Sequence, residues 1–104
     1  MGNPLPKSGE AVQEKTAQKT QKPSMYKVFL LNDDYTTMDF VVHVLEIIFR
    51  KPSLEAVQIM LHVHRKGKGL AGIYTREIAE NKINNTHELA RKFSYPLKCS
   101  MEKE

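Results

Sequence analysis

The stretch MYKVFLLNDDYTTMDFVVHVLEIIF, Met25 to Phe49, changes its hydrophobic period halfway along, and that change decides the fold. Its first seven residues, MYKVFLL, are rich in Tyr, Val, Phe and Leu and have the length of a strand. From Met38 onward, Met38, Val41, Val42, Leu45, Ile48 and Phe49 recur at helical spacing. Between the two lies NDDYTT, an amide and two adjacent carboxylates leading to a pair of threonines. Thr36 is placed to cap the helix, with Asp39 as a carboxylate near its positive end. A strand thus runs through a short acidic turn directly into a helix.

Working outward toward the C-terminus, Pro52 is expected to end this helix, because the residue before a proline is pushed away from helical angles. Ser53 is expected to cap a second helix, LEAVQIMLHVHRK, with Glu55 in its first turn, Arg65 and Lys66 in its last, and Gly67 as its stop. Leu54, Val57, Met60, Leu61 and His64 are its expected inward residues. GLAGIY then reads as a short strand bent or weakened by glycine. Thr75 starts a third helix that runs to about Lys92 with Ile78, Ala79, Ile83 and Ala90 on one face. In PLKCSME, Leu97, Cys99 and Met101 alternate with Lys98, Ser100 and Glu102, the period of a half-buried strand. The order is β-α-α-β-α-β, an α+β fold in which three helices pack against a three-stranded antiparallel sheet. Residues 1–24 hold only Leu5 and Val12 as sizeable aliphatics and cannot bury enough surface to offset their ordering entropy, so they read as a flexible N-terminal extension of a core spanning residues 25–104.

Composition narrows the function classes. The net charge of +4 invites a nucleic-acid reading, but four lysines against two glutamates in residues 1–24 supply half of it. In the core only Arg65, Lys66 and Lys68 cluster, whereas a nucleic-acid domain gathers its charge on one face. Cys99 has no cysteine partner for a disulfide or a zinc site, which fits a reducing compartment. No apolar run approaches the ~20 residues of a membrane span, and no hydrophobic stretch follows the N-terminus. A cytoplasmic protein without cofactor, nucleic acid or membrane contact is the expectation.

Several motifs fail on physical grounds. Gly67, Gly69 and Gly72 spell G-x-G-x-x-G, but a dinucleotide site needs the strand before it and the helix after it, and here that order is reversed. His62 and His64 are two apart on a helix and point in separate directions, with no third ligand in pattern, so no metal site is expected. Asp33 or Asp34 with His64 lacks a supported nucleophile, which speaks against an enzyme.

The acidic turn admits two readings. Asn32, Asp33 and Asp34 suit an Asx-type turn that also decorates the next helix. Yet a turn needs one such residue, and three suggest a cation. If the second helix packs beside the first, His64 approaches this turn with Met38, Val41, Met60 and Val63 between them, forming an apolar pit with acceptors at its rim. The matching ligand carries a cation next to a hydrophobic side chain, as does the free α-amino end of a peptide beginning with Leu, Phe, Tyr or Trp.

MYKVFLLNDDYTTMDFV, QIMLHVHRKGKGLAGIYTREIAENK and the terminal PLKCSMEKE closely resemble ClpS, the adaptor family of the bacterial ClpA-ClpP protease, over residues 25–104. The resemblance implies binding of N-degron peptides and proteins and their delivery to the N-terminal domain of a ClpA-type AAA+ unfoldase, with no chemistry by the adaptor and a monomer as the expected form. It places the amino-group contacts on Asn32, Asp33 and His64, with Asp34 and Thr36 shaping the loop. It places the side-chain pocket on Leu30, Met38, Val41, Met60, Val63 and Leu97, and the unfoldase contact around Glu77 and Lys82. Thr37 stands where the family often has proline. A protonated His64 would lose its acceptor lone pair, so weaker binding at acid pH is expected. The resemblance also implies that the unfoldase engages the N-terminal extension, so that deleting residues 1–22 spares peptide binding and impairs delivery. The same layer order resembles the C-terminal domain of the ribosomal stalk protein, a fold-level analogy that carries little about function.

Overall fold

The computed structural model describes residues 22–104, so the reading of residues 1–24 as a flexible extension lies outside the described residues up to position 21. The described chain runs β1 (Met25–Leu31), α1 (Met38–Ile47), α2 (Ser53–Lys66), β2 (Lys68–Thr75), α3 (Arg76–Lys92) and β3 (Lys98–Lys103). The three strands form one antiparallel sheet in the order β2-β1-β3. The α+β order read from the period changes is the observed one.

Because β1 is central, its inward residues Val28 and Leu30 are fully buried. The helices bring Phe40, Val41, Val44, Leu45, Ala56, Met60, Val63, Ala79 and Ala90 to the same core. Opposite Val28 and Phe29 the register slips from Gly72 to Leu70, leaving Ala71 as an extra residue in β2. This is a β-bulge, and it turns β2 so that both Ala71 and Gly72 are buried.

Each helix is followed within three residues by a residue with positive φ, although only one of these is glycine: Arg50 at 57°, Gly67 at 93° and Ser94 at 64°. After α1, Lys51 N donates back to Leu45 O at 3.0 Å. After α3, Tyr95 N donates to Ala90 O at 2.8 Å and Ser94 N to Arg91 O at 3.0 Å. These bonds satisfy carbonyls that a helix end otherwise leaves unpaired. The expected stop at Pro52 therefore comes early: α1 closes at Ile47 and the chain has already turned at Arg50.

Two expected caps are corrected. Thr37, not Thr36, is the N-cap of α1, and its Oγ1 accepts from Phe40 N at 3.2 Å. Ser53 is the first residue of α2 rather than its cap; Pro52 takes that position, and Ser53 Oγ donates instead to Glu46 Oε2 at 2.7 Å. The inward face of α2 is also narrower than its periodicity suggests. Ala56, Met60 and Val63 are buried, while Leu54 is 73% and Val57 38% exposed and His64 is exposed as well. On α3, Ala79 and Ala90 are buried as expected and Thr86 joins them, but Ile78 is exposed.

Candidate functional site

Antiparallel pairing of β1 with β2 brings the loop after β1 to the end of α2, because α2 feeds directly into β2. One bond fixes that approach: Asn32 N donates to Gly67 O at 2.8 Å, so the acidic turn begins where α2 stops. His64 lies in the last turn of α2. Residues 32 apart in sequence thereby meet.

Within the turn, Asp33 does the structural work alone. Its Oδ1 accepts from Tyr35 N at 2.8 Å and Thr36 N at 2.6 Å, and its Oδ2 accepts from Thr36 Oγ1 at 2.7 Å. Three of the roughly four acceptor positions of a carboxylate are thus occupied. Burial pushes the Asp33 carboxyl up, but the hydrogen bonds from Thr36 and Tyr35 outweigh burial and hold it below its ordinary value of 3.8. Capture of both the amide and the hydroxyl of Thr36 is why the helix cap falls one residue later. Asn32 and Asp34 are exposed, and no side-chain hydrogen bond to either is found among the described residues.

Next to this turn is an open cavity of about 430 Å³. Its polar wall is Asn32 through Thr37 with His64 across from them, and its apolar wall is Met38, Val41, Met60 and Val63. The core holds that apolar wall in place: Val41, Met60 and Val63 are at most 9% exposed, while Met38 at the rim is 43% exposed. The start of α1 is further anchored by Phe40, which stacks 4.7 Å from Tyr95 and 5.6 Å from Phe93. The volume suits a large amino-acid side chain, and the polar wall includes the acceptor-only carboxylates of Asp33 and Asp34.

The structure thus brings together Asn32, Asp33, Asp34, Thr36, Met38, Val41, Met60, Val63 and His64 in one cavity. Leu30 and Leu97 are at most 2% exposed and lie in the core cluster with Val41, Met60 and Val63, behind the residues that line the cavity. Tyr35 and Thr37 do line it. Sequence reasoning named neither as a contact, and only their position inside the turn signals them. Glu77 is exposed on α3, away from the cavity. Lys82 is occupied, since its Nζ donates to Ile48 O at 2.6 Å and sits 5.6 Å from the Tyr74 ring. It therefore ties the end of α1 to α3.

Other chemistry is poorly supported. Burial pushes the Cys99 thiol up to about 12, with a hydrogen bond to Thr86 opposing, so the sulfur stays protonated and unreactive. Among the described residues no group of three His, Cys, Asp or Glu side chains is placed to hold a metal ion, and no helix is long and apolar enough to cross a membrane.

The chain is similar to known proteins over most of its length. The family described as ATP-dependent Clp protease adaptor protein ClpS matches residues 21–100. The ATP-dependent Clp protease adapter protein ClpS of Rhodospirillum centenum is 52% identical over 103 residues, covering 99% of this chain and 94% of that protein. The protein of the same name from Parvibaculum lavamentivorans is 55% identical over 97 residues, covering 93% and 88% respectively. Among solved structures, Agrobacterium tumefaciens ClpS2 bound to L-phenylalaninamide superposes with a TM-score of 0.77 at 37% identity, covering 80% of this chain and all of that one. The acidic turn, the cavity behind it and these likenesses lead to one assignment: the chain belongs to the ClpS family of ATP-dependent Clp protease adaptors.

Proposed function

We propose that this chain takes the free α-amino group and the first side chain of a polypeptide beginning with Leu, Phe, Tyr or Trp into the cavity, and delivers that polypeptide to a ClpA-type unfoldase. The observation that carries the reading is the joining of Asn32, Asp33, Asp34 and His64 with Met38, Val41, Met60 and Val63 around one cavity. The relative from Agrobacterium tumefaciens, solved with L-phenylalaninamide, supports it, because that ligand is an aromatic side chain beside a free amine.

In this reading Asn32 accepts from the ammonium through its amide oxygen, and a neutral His64 accepts through one ring nitrogen. Asp33, already committed to the turn, contributes negative charge and its remaining lone pair, and Asp34 adds a second charge at the rim. Burying a Leu or Phe side chain contributes roughly 1.5–3 kcal/mol. Each hydrogen bond to the charged amine adds roughly 1.5–3 kcal/mol. Association and ordering remove several kcal/mol, which leaves affinity in the micromolar range. Glu77 and the neighbouring surface of α3 contact the unfoldase, whereas Lys82 acts there chiefly by holding α1 against α3. Action as a cytoplasmic monomer without cofactor, and not as an enzyme, belongs to the same proposal.

The test is degradation of a reporter beginning with Phe by ClpA-ClpP, with and without this protein. Degradation is expected to require it, and Glu77→Lys is expected to slow degradation while sparing peptide binding. Degradation at the same rate without the adaptor would contradict delivery.

A further inference from the structure

β2 meets α2 at Gly69, a buried residue that pairs with Leu30 across the sheet. Its φ is not in the left-handed region, so backbone freedom does not account for a glycine here. Space does. A Cβ at this position would fall 2.7 Å from Val63 Cγ2 and 3.4 Å from both Ile59 O and Val63 N. Such a Cβ would just touch the backbone of α2, and room is lacking at the Val63 side chain. Valine in a helix holds essentially one χ1 rotamer, so Cγ2 does not swing aside. Ordinary contact between carbons is about 3.5–4.0 Å, so a methyl group at position 69 displaces Val63 by about 1 Å. Val63 is 2% exposed and lies between the strand and the cavity it lines, so the displacement shrinks the cavity.

We propose that Gly69 is a positioning residue for specificity: its missing side chain seats Val63 against the sheet and so sets how large a first side chain the cavity admits. This rests on the reading of the cavity as the seat of an N-terminal residue. Gly69 touches no ligand itself and acts only through Val63. The other glycine of β2 that is crowded on its Cβ side, Gly72, faces the Tyr74 side chain instead and does not border the cavity.

The experiment compares the full chain with Gly69→Ala, Val63→Ala and the double variant, using labelled peptides that begin with Trp, Leu or Gly and are otherwise identical. A change of one methylene in a hydrophobic pocket is worth about 10- to 200-fold in discrimination. Gly69→Ala is therefore expected to lower the Trp-to-Leu affinity ratio by about 10-fold or more. The double variant, which lacks the clashing methyls, is expected to show the Trp-to-Leu ratio of Val63→Ala alone. Equal weakening of Trp and Leu by Gly69→Ala would mark a merely structural role and overturn the proposal. If circular dichroism shows Gly69→Ala unfolded, the double variant decides: it must fold and match Val63→Ala, and failure of either overturns the proposal. A wild-type protein that binds the Gly peptide as well as Trp and Leu would instead overturn the cavity reading, and this inference with it.

Discussion

Asp33 and His64 reach the same cavity by opposite routes. Asp33 is locked by its own turn, with three hydrogen bonds from Tyr35 and Thr36, while His64 is an exposed side chain carried there by the end of α2. Asp33 alone builds the turn, and Asn32 and Asp34 are exposed beside the cavity. On the apolar side, Met60 and Val41 stand close enough to the core to act as fixed walls. In the proposed function they exclude β-branched first residues, which carry their bulk at the mouth. Met60→Ala is expected to widen the cavity and raise the affinity of peptides beginning with Ile or Val, read as binding isotherms beside a Leu peptide. No gain for Ile or Val would contradict exclusion by Met60.

At the scale of elements, helix and strand periods were legible from the sequence, as were the stop at Gly67 and the span of α3 from Thr75 to Lys92, whereas the caps of α1 and α2 were not. Thr36 and Thr37 are equivalent as cap residues by type, and only the capture of Thr36 by Asp33 decides between them. Ser53 looks like a cap, but it follows a proline whose extended backbone already serves as one. Losing a true cap costs about 1 kcal/mol. Thr37→Ala is therefore expected to lower stability by about 1 kcal/mol in urea unfolding. Ser53→Ala, which loses only an exposed bond to Glu46, is expected to change it by less than about 0.5 kcal/mol. Equal losses in the two variants would contradict the assignment of caps. Leu54 and Val57 share the helical period of the core residues yet lie exposed, because the inward face of α2 is centred on the small Ala56 together with Met60 and Val63. The bulge at Ala71 has no signature beyond the glycines flanking it. Of the positions that the resemblance assigns to the pocket, Met38, Val41, Met60 and Val63 on α1 and α2 line the cavity. Leu30 and Leu97, assigned to the same pocket, are buried in the core cluster that also holds Val41, Met60 and Val63.

Across the whole molecule, α3 is joined to the edge strand β3 by a polar contact that depends on protonation. Cys99 N donates to His87 Nε2 at 3.0 Å, which requires an unprotonated nitrogen. Burial, and then the charges of Lys98 and Arg91, hold the His87 imidazole below its ordinary value of 6.5. The unfolded chain takes up that proton more readily than the folded one. Stability is therefore fully retained above the ordinary histidine range and falls as pH drops below about 6.5, levelling off once the folded ring is itself protonated. Asp33 adds a second loss at lower pH, because its depressed value makes its stabilisation present above 3.8 and lost as pH falls through the folded value. Urea midpoints measured from pH 8 to pH 5 are expected to decline, and His87→Gln, whose amide oxygen can still accept, is expected to flatten the decline. An unchanged slope in His87→Gln would place the titrating group elsewhere.

The most direct measurement of the central claim, that the acidic turn and the cavity behind it receive a free amino terminus, is fluorescence anisotropy with a labelled peptide beginning with Phe, beside the same peptide N-acetylated. Removing the cation from an acceptor cluster that is covered on binding costs at least ~2 kcal/mol. Acetylation is therefore expected to weaken binding by roughly 30-fold or more. Equal binding of the two peptides, or binding of neither, would contradict the claim and leave Asn32, Asp33 and Asp34 as a turn and nothing more.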